Sequence, residues 1–141
     1  MKEKKSGRVM AIDYGLKRVG VAVSDPLKII SSPLTTVSAT EILDFIRQYC
    51  QKEAVEEIVV GLPVNLQNEA TDATAPVIKF IGQLEKAMPD MKVSTMDERF
   101  TSKIAFDTLL QAGVRKKQRR DKKLIDKISA SLILQTYLER L

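Results

Sequence analysis

The sequence contains no histidine, and this absence excludes several kinds of catalytic site. Ser-His-Asp and Cys-His triads require an imidazole base, and histidine is also the acid or base of metal-free nucleases and a common zinc ligand. Any hydrolysis by this chain must therefore depend on carboxylates, which act alone or through hard cations that prefer oxygen ligands.

Cysteine and long apolar runs are also scarce. Cys50 is the one cysteine, so no internal disulfide can form, as is usual in a reducing compartment. The apolar run at residues 128–134 is too short to span a bilayer, and no signal-peptide pattern follows the basic start of the chain. We therefore expect a cytoplasmic protein that does not enter a membrane. Cys50 lies on an apolar helical face, which favours a core position over a role as nucleophile.

The composition is that of one globular domain. Hydrophobic residues make up 44% of the chain and charged residues 29%, which is the balance of a folded protein. The length of 141 residues suits one hydrophobic core. We expect a single domain over residues 1–141, with residues 1–7 as a flexible tail. A monomer and a homodimer are both compatible with the sequence.

The net charge of +5 is concentrated in two segments. Residues 115–127 carry +6 and residues 1–8 carry +3, so the rest of the chain carries −4. Two basic segments on a mildly acidic body suggest a polyanionic partner, although a solvated loop kept basic for solubility is the alternative. The candidate phosphate-binding residues of the longer segment are Arg115, Lys116, Lys117, Arg119 and Arg120.

Hydrophobic patterning predicts an α/β fold. Short apolar runs predict strands at residues 8–12, 19–24, 34–37, 57–62 and 92–96. Helical spacing predicts four helices. Thr40 and Thr101 are the predicted N-caps of two of them, and the other two extend over residues 75–88 and 123–141. Residues 64–72 are predicted to form a loop. This order predicts a mixed five-stranded sheet flanked by helices. Its first three strands form an antiparallel meander, and its fourth strand lies beside the first.

Acidic residues stand at three places where a neutral or apolar residue would suit the fold better. Asp13 ends the first strand, Asp97 and Glu98 end the fifth, and Asp126 lies on the mostly apolar face of the last helix. Ligands gather at the carboxyl ends of parallel strands, so Asp13, Glu98 and Asp126 converge if the first and fifth strands are parallel. Such a set holds one or two Mg²⁺ or Mn²⁺ ions, which activate water and stabilise a phosphoryl displacement. The choice between Asp97 and Glu98 as the ligand stays open.

Each of these carboxylates also has a structural explanation. Asp13 can start an Asp-x-Gly turn. Glu98 can pair with Arg99 or Lys103 in a surface salt bridge. Asp126 can favour the start of its helix through the helix dipole. The three together, without histidine and beside a basic segment, favour the metal site.

Other polar side chains are weaker candidates for contacts with phosphate or substrate. Lys17 and Arg18 lie in the predicted first hairpin, where a solvated turn explains them nearly as well. Asn65 follows Gly-Leu-Pro, although asparagine in a loop is commonly a turn former. Arg99 and Thr101 can orient phosphate, although helix capping also explains Thr101.

Four segments resemble the motifs of the YqgF family in the ribonuclease H-like superfamily. They are AIDYGLKRVGVAVSD (11–25), VVGLP (59–63), MDERFTS (96–102) and LIDKISASLILQTYL (124–138), and they extend over nearly the whole chain. The resemblance implies a ribonuclease H-like fold and carboxylate–divalent metal nuclease chemistry. The implied substrates are precursor ribosomal RNA, cut during maturation of the 16S 5′ end, and branched DNA such as a Holliday junction. By position, Asp13, Glu98 and Asp126 match the family's acidic residues.

Two other functions are compatible with these residues. An Asp-x-Gly hairpin also cradles phosphate in phosphotransferase lobes of the actin and sugar-kinase type, but the chain is too short for a second lobe and lacks an adenine-site glycine cluster. A non-catalytic RNA- or protein-binding module would also keep the fold, and Gly-Leu-Pro stands where junction resolvases carry an acidic residue. We expect a nuclease acting on structured nucleic acid.

Overall fold

The computed structural model describes residues 7–63, 74–97 and 122–141, which form a mixed sheet with helices on both faces. Within these residues the strands are β1 (Arg8–Tyr14), β2 (Arg18–Ser24), β3 (Ser31–Ser38), β4 (Val55–Leu62) and β5 (Lys92–Asp97), and the helices are α1 (Ile42–Lys52), α2 (Thr74–Ala87) and α3 (Lys122–Leu138).

The sheet has the strand order β3-β2-β1-β4-β5. The first three strands are antiparallel neighbours, and β4 is parallel to both β1 and β5. The predicted meander and the predicted place of the fourth strand beside the first are therefore confirmed. The first and fifth strands are parallel, so the condition for convergence of their carboxyl ends is met. The carboxyl ends of β1, β4 and β5 consequently lie at one rim of the sheet.

The two faces of the sheet pack against different helices. Met10 and Ile12 of β1 belong to a core cluster with α1 and α2, whereas Val9 and Ala11 belong to a second cluster with α3. Successive side chains of a strand point to opposite faces, and helices cover both faces here. This explains why β1 is a continuous apolar run. Cys50 is partly buried and packs on the first cluster, as predicted.

Helix α3 approaches the sheet very closely at Gly20 of β2. A Cβ atom added to Gly20 would lie 2.0 Å from the backbone oxygen of Asp126 and 3.0 Å from the backbone nitrogen of Lys127. Only a residue without a side chain permits such an approach of one backbone to another. Gly20 therefore fixes where the first half of α3 lies on the sheet.

Hydrogen bonds attach both halves of α3 to the sheet. The hydroxyl of Thr36 donates to the carbonyl of Lys123, and the hydroxyl of Tyr137 donates to Oε2 of Glu57 at 2.6 Å. The Glu57 side chain is only 7% exposed and also accepts a hydrogen bond from Ser94. A buried carboxylate is stable only with such partners. Burial raises the pKa of the Tyr137 hydroxyl, and its hydrogen bond to Glu57 raises it further.

Several predicted boundaries differ from the structure. Thr40 is not the N-cap of α1, because the helix begins after Glu41, which makes no side-chain cap bond, and the Thr40 hydroxyl bonds to that of Ser38 at 2.9 Å. Strand β3 is longer than predicted because backbone pairing with β2 extends it beyond its apolar residues. Helix α3 ends at Leu138 rather than at Leu141.

Several predictions fall outside the described residues. They concern the tail over residues 1–6, the loop at 64–72, the helix capped by Thr101 and the basic segment up to residue 121. In the described part of the chain, no helix is long and apolar enough to cross a membrane.

We expect Gly20→Ala to lower the free energy of unfolding by about 1–3 kcal/mol, the usual penalty for forcing atoms into a packed core. The added methyl group would meet backbone atoms of α3, which cannot rotate aside. Urea unfolding followed by circular dichroism measures this change.

Gly82→Ala is the matched control, because Gly82 is exposed in α2 and an added Cβ meets nothing within 4 Å. Its better helix propensity should raise the free energy of unfolding by about 0.5–1 kcal/mol. Equal effects of the two substitutions would contradict the close contact at Gly20.

We expect Tyr137→Phe to lower the free energy of unfolding by about 1.5–3 kcal/mol near neutral pH, because it removes a hydrogen bond to a buried charged group. The raised pKa lets the folded state keep the phenol proton to higher pH than the unfolded chain does. The difference between wild type and variant should therefore be full below about pH 10 and shrink above it. Urea unfolding at a series of pH values measures it, and a difference that stays constant with pH would refute this account.

Candidate functional site

Asp13 lies near the carboxyl end of β1, on the face of the sheet that α3 covers. Val9 and Ala11 precede it at alternate positions and pack in the α3 cluster, so the alternation of the strand directs Asp13 to the same side. Its cross-strand partner in β2 is Gly20. Asp13 does not end the strand as the sequence suggested, because β1 continues to Tyr14.

Asp126 lies in the second turn of α3, directly above the same part of the sheet. Its backbone oxygen occupies the space next to Gly20 that a side chain would fill. Paired residues of antiparallel strands have Cα atoms about 4.5–5.5 Å apart, so Asp13 stands beside this contact. The fold thus brings together two acidic residues from opposite ends of the chain.

Asp126 forms an ion pair with Arg18, the first residue of β2. Nε of Arg18 donates to Oδ2 of Asp126 at 2.9 Å, and the side chains are 35% and 23% exposed, respectively. Asp126 lies beyond the first turn of α3, which contains no acidic residue, so the helix dipole does not account for its position. Its partner is instead the guanidinium of Arg18. An ion pair at this level of exposure contributes about 0–1 kcal/mol, so the fold does not depend on it.

Lys17 lies in the turn between β1 and β2, at the same rim of the sheet. It is exposed, and its backbone carbonyl accepts a hydrogen bond from the amide of Ala39 at 3.0 Å. The backbone of the turn is therefore anchored, while the ammonium group is available to solvent and to a negatively charged ligand. The positive charges of Lys17 and Arg18 offset part of the negative charge that Asp13 and Asp126 bring to this rim.

Asp97 is the last residue of β5 and lies level with Leu62 of β4. Met96 packs in the α3 cluster, whereas Val93 packs on the α1 and α2 side. The alternation of β5 therefore places Asp97 on the face opposite Asp13. The remaining predicted site residues lie outside the described residues, namely Glu98, Asn65, Arg99, Thr101, Arg115, Lys116, Lys117, Arg119 and Arg120.

The donor atoms at this rim suit a hard divalent cation. Asp13 and Asp126 offer carboxylate oxygens, which Mg²⁺ and Mn²⁺ prefer, and no sulfur or imidazole ligand accompanies them in the described residues. The described residues contain no group of three or more potential ligands. The chemistry of this pair is thus compatible with a metal site.

A depression of about 410 Å³ opens on the other face of the sheet, against α2. Its described lining includes Tyr14, Leu16 and Lys79, and Tyr14 stacks on Phe80 with ring centroids 4.6 Å apart. No carboxylate belongs to this lining. Among the described residues, the carboxylates that suit a metal ion therefore lie on the α3 side of the rim and not around this depression.

Comparison with known protein sequences gives consistent matches over nearly the whole chain. A family model described as RuvX, Holliday junction resolvase, matches residues 7–140. A protein of Bacteroides fragilis is 51% identical over 132 residues, which are 94% of this chain and 96% of that protein. A protein of Flavobacterium psychrophilum is 44% identical over 133 residues, which are 94% and 97% of the two chains. Both carry the name "Putative pre-16S rRNA nuclease".

Among solved structures, the chain is similar to RuvC of Thermus thermophilus. The match to RuvC in complex with a Holliday junction substrate has a TM-score of 0.58 and 15% identity and covers 95% of each chain. The match to the Thermus thermophilus RuvC structure has a TM-score of 0.59 and 14% identity, and it covers 94% and 95% of the two chains. At this identity the likeness concerns the fold, and the predicted ribonuclease H-like α/β class is confirmed.

We expect Asp126→Asn to lower the free energy of unfolding by less than about 1 kcal/mol, because both partners of its ion pair are partly exposed. Urea unfolding of the wild type and the variant measures the difference. A loss above about 2 kcal/mol would mean that the ion pair holds α3 in place, contrary to what its exposure indicates.

Proposed function

Because the chain belongs to the RuvX family of Holliday junction resolvases, we propose that it is a nuclease that hydrolyses phosphodiester bonds in structured nucleic acid. The names of its relatives point to the precursor of 16S ribosomal RNA as the substrate, and the family description points to branched DNA. We take processing of the precursor RNA at its 5′ end, in the bacterial cytoplasm, as the main activity, with junction cleavage as the second.

The observation that carries this proposal is the meeting of Asp13 and Asp126 on one side of the sheet rim. Asp126 lies against Gly20, and Gly20 is the cross-strand partner of Asp13. A chain without histidine must use such carboxylates for hydrolysis. Carboxylates on one face of a sheet repel each other, and a bound divalent cation would offset that repulsion, which supports cation binding there.

The proposed metal ligands are Asp13, Glu98 and Asp126, which would hold one or two Mg²⁺ or Mn²⁺ ions. Glu98 follows Asp97 in the sequence, and β5 runs parallel to β1 within the same sheet. When bound, a divalent cation lowers the pKa of water and offsets charge on the phosphoryl oxygens. The contribution of the protein is to place Asp13 and Asp126 on one face of the sheet and to fix Asp126 there by the packing of α3 on β2.

Basic side chains around this rim are proposed to bind the phosphate backbone. Lys17 and Arg18 lie at the rim itself. The segment over residues 115–127 carries +6 and supplies further phosphate contacts. The other proposed substrate-binding residues are Asn65, Arg99, Thr101, Arg115, Lys116, Lys117, Arg119 and Arg120. Binding through these cations should weaken as salt concentration rises, because it releases counterions from the nucleic acid.

We expect Asp13→Asn and Asp126→Asn each to reduce the cleavage rate by about 100-fold or more, since each removes a proposed metal ligand. Single-turnover cleavage of an RNA with the 5′ region of precursor 16S RNA, and of a four-way DNA junction, measures the rates in Mg²⁺ and in Mn²⁺. Asp44→Asn is the matched control, because Asp44 is an exposed residue of α1, where it pairs with Arg47.

Each result of this assay bears on a separate part of the proposal. Undiminished cleavage by folded Asp13→Asn and Asp126→Asn variants would contradict the site. Cleavage by the wild type that survives EDTA would contradict metal dependence. RNA binding without any cleavage at high enzyme concentration would identify a binding module instead of a nuclease. The relative rates on the two substrates decide between RNA and branched DNA.

A further inference from the structure

The ion pair between Arg18 and Asp126 places a protein cation on a carboxylate that the proposed function assigns to a metal ion. We propose that Arg18 is a counter-cation that competes with the divalent ion for Asp126, and that the competition frees Arg18 to bind a substrate phosphate. This inference rests on the proposed function, because it assumes that Asp126 is a metal ligand.

The geometry of the pair leads to competition. Nε of Arg18 donates to Oδ2 of Asp126 at 2.9 Å. A divalent ion held by Asp126 would be a second cation on the carboxylate that the guanidinium already binds. The two positive charges would repel each other, and the repulsion is modest because solvent screens this partly exposed site. Arginine does not lose its proton at accessible pH, so movement of the guanidinium away from Asp126 relieves the repulsion.

The surroundings of Arg18 allow this movement. The side chain is 35% exposed, and the residue begins β2 immediately after the turn. Its backbone is held by pairing with Ser38 of β3, so the side chain can turn towards solvent while the strand remains in place. A phosphate bound at the rim would offer the planar guanidinium two oxygens for a bidentate, charge-assisted pair.

The ion pair of Arg18 with Asp126 differs from the interactions of Glu57, which hold α3 on the sheet. The carboxylate of Glu57 is 7% exposed; it pairs with the exposed Lys92 at 3.5 Å and also accepts hydrogen bonds from Ser94 and Tyr137, which hold α3 on the sheet. Asp126 is 23% exposed, and its carboxylate accepts a hydrogen bond from Arg18. A cation from solvent therefore reaches the carboxylate of Asp126 more readily than that of Glu57.

The test is the Mn²⁺ affinity of the protein without nucleic acid, measured by calorimetry for the wild type and for Arg18→Gln. Removing a competitor should tighten Mn²⁺ binding by about 1.5- to 5-fold, the range that an exposed ion pair can supply. Arg47→Gln is the matched control, since it removes the same charge from an exposed ion pair with Asp44 on α1. The control should leave Mn²⁺ affinity unchanged.

Cleavage assays give a second readout that simple damage to the fold would not produce. Arg18→Gln should reach half of its maximal rate at a lower Mn²⁺ concentration than the wild type, while its maximal rate falls because a phosphate contact is lost. Thermal unfolding of each variant verifies that it is folded.

Weaker or unchanged Mn²⁺ binding by Arg18→Gln would overturn the inference, and weaker binding would show that Arg18 positions Asp126 for the metal. Tighter binding by both arginine variants would reveal only a general effect of charge and would also overturn it. Failure of the wild type and of both variants to bind Mn²⁺ would refute the proposed metal site itself. The wild-type titration thus separates failure of the proposed function from failure of this inference.

Discussion

The contact of α3 with Gly20 determines the position of the last helix and, through it, the position of Asp126. The backbone oxygen of Asp126 lies where a side chain of residue 20 would be, so any larger residue would move the helix away from the sheet. Gly20 is also the cross-strand partner of Asp13. One close backbone contact therefore serves two purposes, since it seats α3 on the sheet and sets two distant carboxylates side by side.

The two halves of α3 are attached to the sheet by interactions of different kinds. In the second half, Tyr137 bonds to the buried carboxylate of Glu57, whose desolvation makes the loss of any partner costly. In the first half, Asp126 pairs with Arg18 in a partly exposed position, where solvent screens the charges and the pair is weak. A rigid anchor at one end lets the other end carry a carboxylate whose partner can change without loss of the fold.

Much of this architecture could be predicted from the sequence because strong local patterns determine it. The apolar runs at residues 8–12 and 57–62 predict strands covered on both faces, and the short link at 15–18 predicts an antiparallel neighbour for the first of them. The predicted length of β3 is too short, because backbone pairing with β2 holds its polar residues in the sheet. Hydrophobic patterning gives no signal for such residues. The alternation of large and small residues in VGVAV did carry a signal for the close approach at Gly20. The ion pair of Arg18 with Asp126 could not be predicted, because it depends on the rotation of a helix from the far end of the chain.

The arrangement of the acidic residues follows from strand alternation and from charge. A shift of one residue along a strand moves a side chain to the opposite face, and Asp97 accordingly lies on the face opposite Asp13. For this reason Glu98, the next residue in the sequence, is the ligand that we propose. Carboxylates on one face of a sheet repel each other, and a cation near them offsets the repulsion. Arg18 is such a cation at Asp126 in the structure. A divalent ion at the proposed metal site would offset the same repulsion, and it would do so in competition with the arginine that Asp126 already binds.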